Sequence, residues 1–304
     1  MKDSPFFPQA RLLVRYLPAL AAADCFALKG GTAINLFVRN LPRLSVDIDL
    51  AYLPLAERAL ALAETREGLA KVARRAANLI SGLRVQDVGA AGSPKQIAAT
   101  PDAQIKIEPN PVLRGTVFPP EMRRLVPEAE SLFELSASVQ VASLADIYAG
   151  KLCAALDRQH PRDWFDVRLL LDNEGLSESL RQAFIVYLAS HHRPIAELLE
   201  PNIKQMEAAY ASDFSGMTRD PIALKVLEET QSELPRMILA ALTGNERTFL
   251  LSIKLGEPDW SLLPISHLSQ LPALRWKLAN IERLKSDPGK HATAISQLKR
   301  VLEL

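Results

Sequence analysis

The hydrophobic pattern of this chain changes period once, and that change limits the folds open to it. Between residues 25 and 142, short apolar segments with strand-like branching recur at Cys25–Leu28, Val46–Tyr52, Arg84–Val88, Lys95–Thr100, Ala103–Glu108 and Ser138–Ala142, punctuated by Gly, Pro and Asn. In the clearest of them, Val46, Ile48 and Leu50 alternate with Asp47 and Asp49, the period of a strand with one covered face. Two helical stripes accompany these strands. Residues 9–23 carry Leu12, Leu13, Tyr16, Leu20 and Ala23, and residues 55–80 carry Leu62, Leu69, Val72, Ala76 and Leu79 away from Arg66, Lys71, Arg74 and Arg75. From Ser143 onward only helical periodicity is found. Ser143-Leu-Ala-Asp146 is a helix-start pattern for a helix to about Asp157, and His160-Pro161 marks a break. A second helix begins near Arg162, another covers Ser177–Ser190, and prolines at 194, 201, 221, 235, 258, 264, 272 and 288 are expected to cut the remainder into short helices. The expectation is an α+β chain, with a mixed sheet flanked by helices over residues 1–142 and an α-helical domain over residues 143–304.

Composition narrows the class of partner. Of 304 residues, 48% are apolar and 23% charged, and 36 Lys and Arg against 35 Asp and Glu leave a net charge of +1. Such a chain buries a substantial core but has no global field for nucleic acid or an anionic membrane. Any such partner must meet a local patch. Cys25 and Cys153 lie far apart in apolar runs, which suggests free thiols in a reducing cytoplasm. No stretch approaches the roughly 18 apolar residues of a membrane span.

The chemistry concentrates in Leu28-Lys-Gly-Gly-Thr-Ala33 followed by Leu44-Ser-Val-Asp-Ile-Asp-Leu50. A Gly30-Gly31 turn entering a helix exposes backbone N–H groups suited to phosphate oxygens. Asp47 and Asp49, two apart on a strand, share a face and suit hard divalent cations such as magnesium. Together these elements indicate phosphoryl or nucleotidyl transfer, because metals held by carboxylates stabilise the attacking and leaving oxygens of an in-line displacement.

The run Gly-Gly-Thr-Ala with Arg-Leu-Ser-x-Asp-Ile-Asp-Leu resembles the AbiEii/AbiGii toxin-type nucleotidyltransferases of the polymerase-beta-like superfamily. Two later segments extend the resemblance over nearly the whole chain: Ala149-Gly-Lys151-Leu-Cys-Ala-Ala-Leu-Asp-Arg158 leading into His160-Pro-Arg-Asp163-Trp-Phe-Asp166, and Pro272-Ala-Leu-Arg-Trp-Lys-Leu-Ala-Asn280. The resemblance implies that Gly30, Gly31 and Thr32 form the nucleotide-phosphate turn and that Ser45 is the hydroxyl before the acidic pair. It makes Asp47 and Asp49 the metal-binding carboxylates, Lys151 the lysine that meets the triphosphate, and Asp163 and Asp166 the acids of the second motif. It further implies Mg2+ with an NTP substrate, a cognate antitoxin protein, RNA (tRNA) as acceptor, and a role in a toxin–antitoxin or phage-defence system. Alternatives to weigh are a protein or small-molecule acceptor, or a nucleotide-binding scaffold without catalysis.

Two further features are weaker. Glu108, in Ile105-Lys-Ile-Glu108-Pro, is the nearest candidate for the third carboxylate that many such transferases use. The segment Arg275 to Arg300 carries seven basic and two acidic residues beside Trp276, which suits an RNA backbone or equally a solvated helical face. The five histidines show no zinc-ligand spacing, and no P-loop or nucleophile-elbow motif occurs.

Overall fold

Seven strands and thirteen α-helices build the chain, which the computed structural model describes over residues 1–304. It divides into two units, residues 1–147 with 211–222, and residues 148–210 with 223–304. In chain order the first unit holds α1 (Phe7–Tyr16), β1 (Phe26–Lys29), the four-residue α2 (Gly30–Ala33), β2 (Asp47–Tyr52), α3 (Arg58–Leu79), β3 (Arg84–Asp87), β4 (Gln96–Ala99), β5 (Gln104–Arg114), β6 (Glu121–Arg124), α4 (Pro127–Phe133) and β7 (Ser138–Val141).

The strands form one sheet in the order β3-β4-β5-β2-β1-β7-β6. β2 runs antiparallel to β1 and parallel to β5, and β1 runs parallel to β7, so the sheet is mixed. The alternation read in β2 sets its two faces. Ile48 and Leu50 are fully buried, with Ile107 beside Ile48 and with Leu28 and Val141 in register next to Leu50, whereas Asp47 and Asp49 are half-buried on the other face. Each large apolar side chain buried this way contributes about 1.5–3 kcal/mol.

Several details depart from the sequence expectation for physical reasons. The first helix ends at Tyr16 and passes into a tight turn at Leu17–Ala22, with Pro18 in its first turn. The stripe of α3 narrows at its end, leaving Leu79 half-exposed while Val72 and Ala76 are buried. β6, a Glu-Met-Arg-Arg segment without apolar alternation, is an edge strand held only by β7, where charge rather than burial suits an exposed ladder. β5 continues six residues past Glu108 despite Pro109 and Pro111. Its register on β2 jumps there, and the Asn110 side chain accepts from the N–H groups of Val112 and Leu113.

In the second unit every element is helical. α5 (Leu144–Arg158) begins in the first unit, with Ser143 Oγ accepting from the Asp146 N–H at 3.0 Å. It is followed by α6 (Pro161–Asn173), α7 (Glu178–Ser190), α8 (Ile195–Leu199), α9 (Glu207–Asp213), α10 (Leu224–Ala241), α11 (Gly244–Leu255), α12 (Pro272–Leu284) and α13 (Pro288–Leu302). Trp164, Phe184, Leu188, Leu227, Phe249 and Leu274 are core residues of this unit. Pro272 and Pro288 open helices as expected, but Pro235 lies inside α10 rather than ending it. The buried face formed by Leu227, Leu234 and Ile238 carries that helix past the proline. No helix is long and apolar enough to cross a membrane.

Residues 211–222 return to the first unit and secure the loop that precedes β2. The Leu44 N–H donates to Met217 O and the Arg219 N–H to Pro42 O, both at 2.8 Å, and Arg43 forms an antiparallel bridge with Thr218. Ser4 Oγ donates to Gly216 O at 2.7 Å.

Candidate active site

β1 ends at Lys29 in extended backbone, and Gly30 turns the chain with φ +69° into α2. Glycine is needed there for conformation and for space. A Cβ at Gly30 would stand 2.3 Å from Asp49 Oδ2, so the carboxylate rests directly against the turn. A Cβ at Gly31 would stand 2.7 Å from Nη2 of Arg43, a buried arginine whose Nη1 donates to Leu44 O at 2.8 Å. Two buried hydroxyls join turn and strand: Thr32 Oγ1 donates to Asp47 O, and Ser45 Oγ lies 2.8 Å from Thr32 Oγ1. Asn35 Nδ2 closes the turn by donating to Gly31 O at 2.8 Å. The structure therefore brings Gly30, Gly31, Thr32, Ser45, Asp47 and Asp49 into one place.

Strand register extends this site sideways. Lys29 pairs with Asp49 across β1 and β2, while Lys106 pairs with Asp47 and Glu108 with Asp49 across β2 and β5. Side chains in register share a sheet face. Glu108 is thus beside the acidic pair, where it forms ion pairs with Lys95 Nζ at 2.8 Å and Lys106 Nζ at 3.4 Å. No group of three or more His, Cys, Asp or Glu side chains is arranged to hold a metal ion. The donor set nonetheless fits magnesium, which keeps several waters and takes one or two protein carboxylates together with substrate phosphates. Asp47 and Asp49 are the residues that would hold it.

The residues of the second motif form their own cluster in the second unit. Lys151 Nζ lies 2.9 Å from both Asp163 Oδ1 and Asp166 Oδ2, with the lysine side chain 5% exposed and both acids at 0%. Arg158 completes it, its Nε donating to Asp163 Oδ2 at 2.5 Å and its Nη2 to Asp163 Oδ1 at 2.8 Å. The local sequence explains this geometry. Pro161 starts α6, the His160 side chain accepts from the Arg162 N–H, and Asp163 and Asp166 follow three apart on one face. Burial pushes the Asp163 carboxyl up, but Lys151 and Arg158 outweigh it and hold the group well below the usual carboxylate range. Two cations and two carboxylates thereby balance where an unpaired charge is costly.

The basic C-terminal segment is less available than its composition implies. Trp276 is 40% exposed, but Lys277 is buried and donates to His191 O and Arg193 O at 2.6 and 3.0 Å. Lys285, Lys290 and Arg300 pair with Glu282, Asp287 and Glu200. Sequence reasoning assigned no role to Arg43, Lys95, Lys106 or Arg158. Arg158 carried a signal, since it closes the lysine motif, whereas Lys95 and Lys106 are identified only by strand pairing.

The family described as nucleotidyl transferase AbiEii toxin, type IV TA system, matches residues 11–280 of this chain. No curated protein matches it. Among solved structures, the chain is similar to MenT4, a nucleotidyltransferase toxin from Mycobacterium tuberculosis, with a TM-score of 0.61 and 16% identity over 90% of this chain and 92% of that one. At that identity the likeness shows a shared fold.

Proposed function

Because the chain belongs to the AbiEii family of nucleotidyl transferase toxins of type IV toxin–antitoxin systems, we propose that it transfers a nucleoside monophosphate from an NTP to an RNA acceptor, tRNA, at the Gly30–Asp49 site with Mg2+. The observation that carries this reading is the packing of Asp49 Oδ2 against Gly30, which sets a phosphate-binding turn and a metal-binding carboxylate side by side. When bound by Asp47 and Asp49, magnesium neutralises charge on the phosphoryl oxygens and stabilises the leaving oxygen. In the reaction proposed, the oxygen of an acceptor hydroxyl attacks the α-phosphorus as its proton passes to solvent, one P–O bond forms, the bond to the β-phosphate oxygen breaks, and pyrophosphate leaves.

The protein's part is orientation and charge. The backbone N–H groups of the Gly30-Gly31 turn meet phosphate oxygens, and the Thr32–Ser45 tie keeps that turn fixed on β2. We assign Lys151 to the negative charge of the triphosphate. Its two carboxylate partners support a positioning role for Asp163 and Asp166, fixing the lysine side chain by two ion pairs. In this reading residues 1–142 are the catalytic core and residues 143–304 the helical domain that contributes Lys151, Asp163 and Asp166. A cognate antitoxin is the partner implied by the family, and two free cysteines suit a reducing cytoplasm.

The test is to incubate the protein with total bacterial RNA, magnesium and each labelled NTP in turn, beside Asp47→Ala. Label on a tRNA-sized band, absent with the variant, is the expected result. No label on RNA with any of the four nucleotides would overturn the acceptor.

A further inference from the structure

The sheet face that carries Asp47 and Asp49 holds three carboxylates and three ammonium groups in a definite order. Lys29 stands on β1, Asp47 and Asp49 on β2, and Lys106 and Glu108 on β5, with the ammonium of Lys95 against Glu108. The Gly30-Gly31 turn leaves β1, so it lies on one side of the acidic pair, and Lys95, Lys106 and Glu108 lie on the other. The two lysines share one carboxylate, at 2.8 Å and 3.4 Å, with side chains 30% and 41% exposed against 38% for Glu108. Exposed pairs of this kind are weak and exchange readily with other anions. The Lys95 ammonium is held above its ordinary value first by its hydrogen bond to Glu108, and it also senses the charge of Asp47.

Charge balance shows what this arrangement accepts. Without a metal, the three acids offset the three lysines. With a divalent cation held by Asp47 and Asp49, the face would become positive, with one uncompensated charge at Lys29 on the β1 side and one on the β5 side, where Lys95 and Lys106 share Glu108 away from the turn assigned to the nucleotide. A phosphate arriving there replaces Glu108 as the partner of both lysines.

We propose that Lys95 and Lys106 form a phosphate-binding site for the backbone of the acceptor RNA, occupied in the free protein by Glu108 as an internal substitute anion. This rests on the proposed transfer to RNA and adds a subsite to it. The shared chemistry, a phosphate held by two ammonium groups, has a second source in the triphosphate of the NTP. The order of strands favours the acceptor, because the turn and Lys29 stand on the opposite side of Asp49.

The experiment measures binding of fluorescently labelled total tRNA to the full chain by anisotropy across a salt series, alongside KM values for RNA and for NTP. Lys95→Ala/Lys106→Ala is expected to weaken tRNA binding about tenfold and to reduce the magnitude of the log–log salt slope by roughly 1.4, or about 0.7 for each phosphate that a lysine no longer neutralises. The KM for NTP should stay unchanged. Glu108→Gln, which frees both lysines, should tighten tRNA binding several-fold, an effect that misfolding cannot imitate. Unchanged tRNA affinity and slope in the double variant would overturn the proposal, as would a rise confined to the KM for NTP. A wild-type protein that labels no RNA would overturn the acceptor reading, while the binding arm would still decide whether these lysines hold RNA phosphate.

Discussion

Gly30 and Asp49 are in direct contact across β1 and β2: a methyl group on the glycine would lie 2.3 Å from the carboxylate oxygen, on a residue whose φ is already +69°. Gly30→Ala therefore combines left-handed strain of about 1–2 kcal/mol with displacement of Asp49. We expect nucleotidyl transfer to fall at least 100-fold while the protein still folds. Label-transfer assays beside a thermal melt check this, and near-normal activity would show that the carboxylate position is not critical.

Asp47→Asn and Asp49→Asn remove charge but keep shape on a half-buried face. Each should cost two orders of magnitude or more in transfer, with melting temperature unchanged or slightly raised because two like charges no longer face each other. Chelation with EDTA should abolish transfer in the parent protein, and added magnesium should restore it. Activity that survives chelation would remove the metal from the mechanism.

In the second unit, Lys151 is the partner of two fully buried carboxylates. Lys151→Met takes the ammonium away from both while Arg158 stays on Asp163, and stability should drop by about 3–5 kcal/mol. Arg158→Ala, on a side chain 61% exposed, should cost about 1 kcal/mol or less. Urea unfolding of both variants tests the contrast, and equal losses would contradict it.

Acid should weaken the protein in two separate steps. Burial, aided by the neighbouring His192 charge and by Lys277 and Arg193, lowers His191 to about 4 against the opposing pull of Asp157. The unfolded imidazole titrates near ~6.5, so the unfolded chain binds the extra proton first. Stability from neutral His191 is complete above pH ~6.5 and declines as pH falls toward about 4. Asp163, held below the usual range, contributes stability above pH ~3.9 that is lost only at lower pH. Urea midpoints at pH 7.5, 6 and 5 should fall in the parent protein and fall less in His191→Gln. Parallel declines would exclude His191 as the source of the first step.

The alternation of Asp47, Ile48, Asp49 and Leu50 is legible because one strand face is covered and the other is not. Ser143 and Asp146, and the placing of Asp163 and Asp166 three apart, are legible because helix starts and helix faces are local properties. Glu108 is harder to read, since its position beside Asp49 comes from a parallel pairing between strands more than fifty residues apart, and nothing in Ile105-Lys-Ile-Glu108 encodes that partner. β6 escapes a sequence reading for a related reason: its ladder with β7 uses backbone groups and asks little of its side chains. Arg43 is invisible because its burial depends on Gly31 and on a stretch near Thr218.

That stretch has a consequence for how the protein comes into being. The loop carrying Arg43 and Ser45 receives its backbone partners from Met217, Thr218 and Arg219, which the ribosome adds about 175 residues later. At ~5–20 residues per second, the loop beside Asp47 waits on the order of 9–35 s for those partners. During that time a nascent toxin has its acidic strand but not the clasp that holds its neighbouring loop. The settling of that loop is thereby tied to synthesis past Arg219, and a chain broken off before residue 217 would lack the clasp altogether.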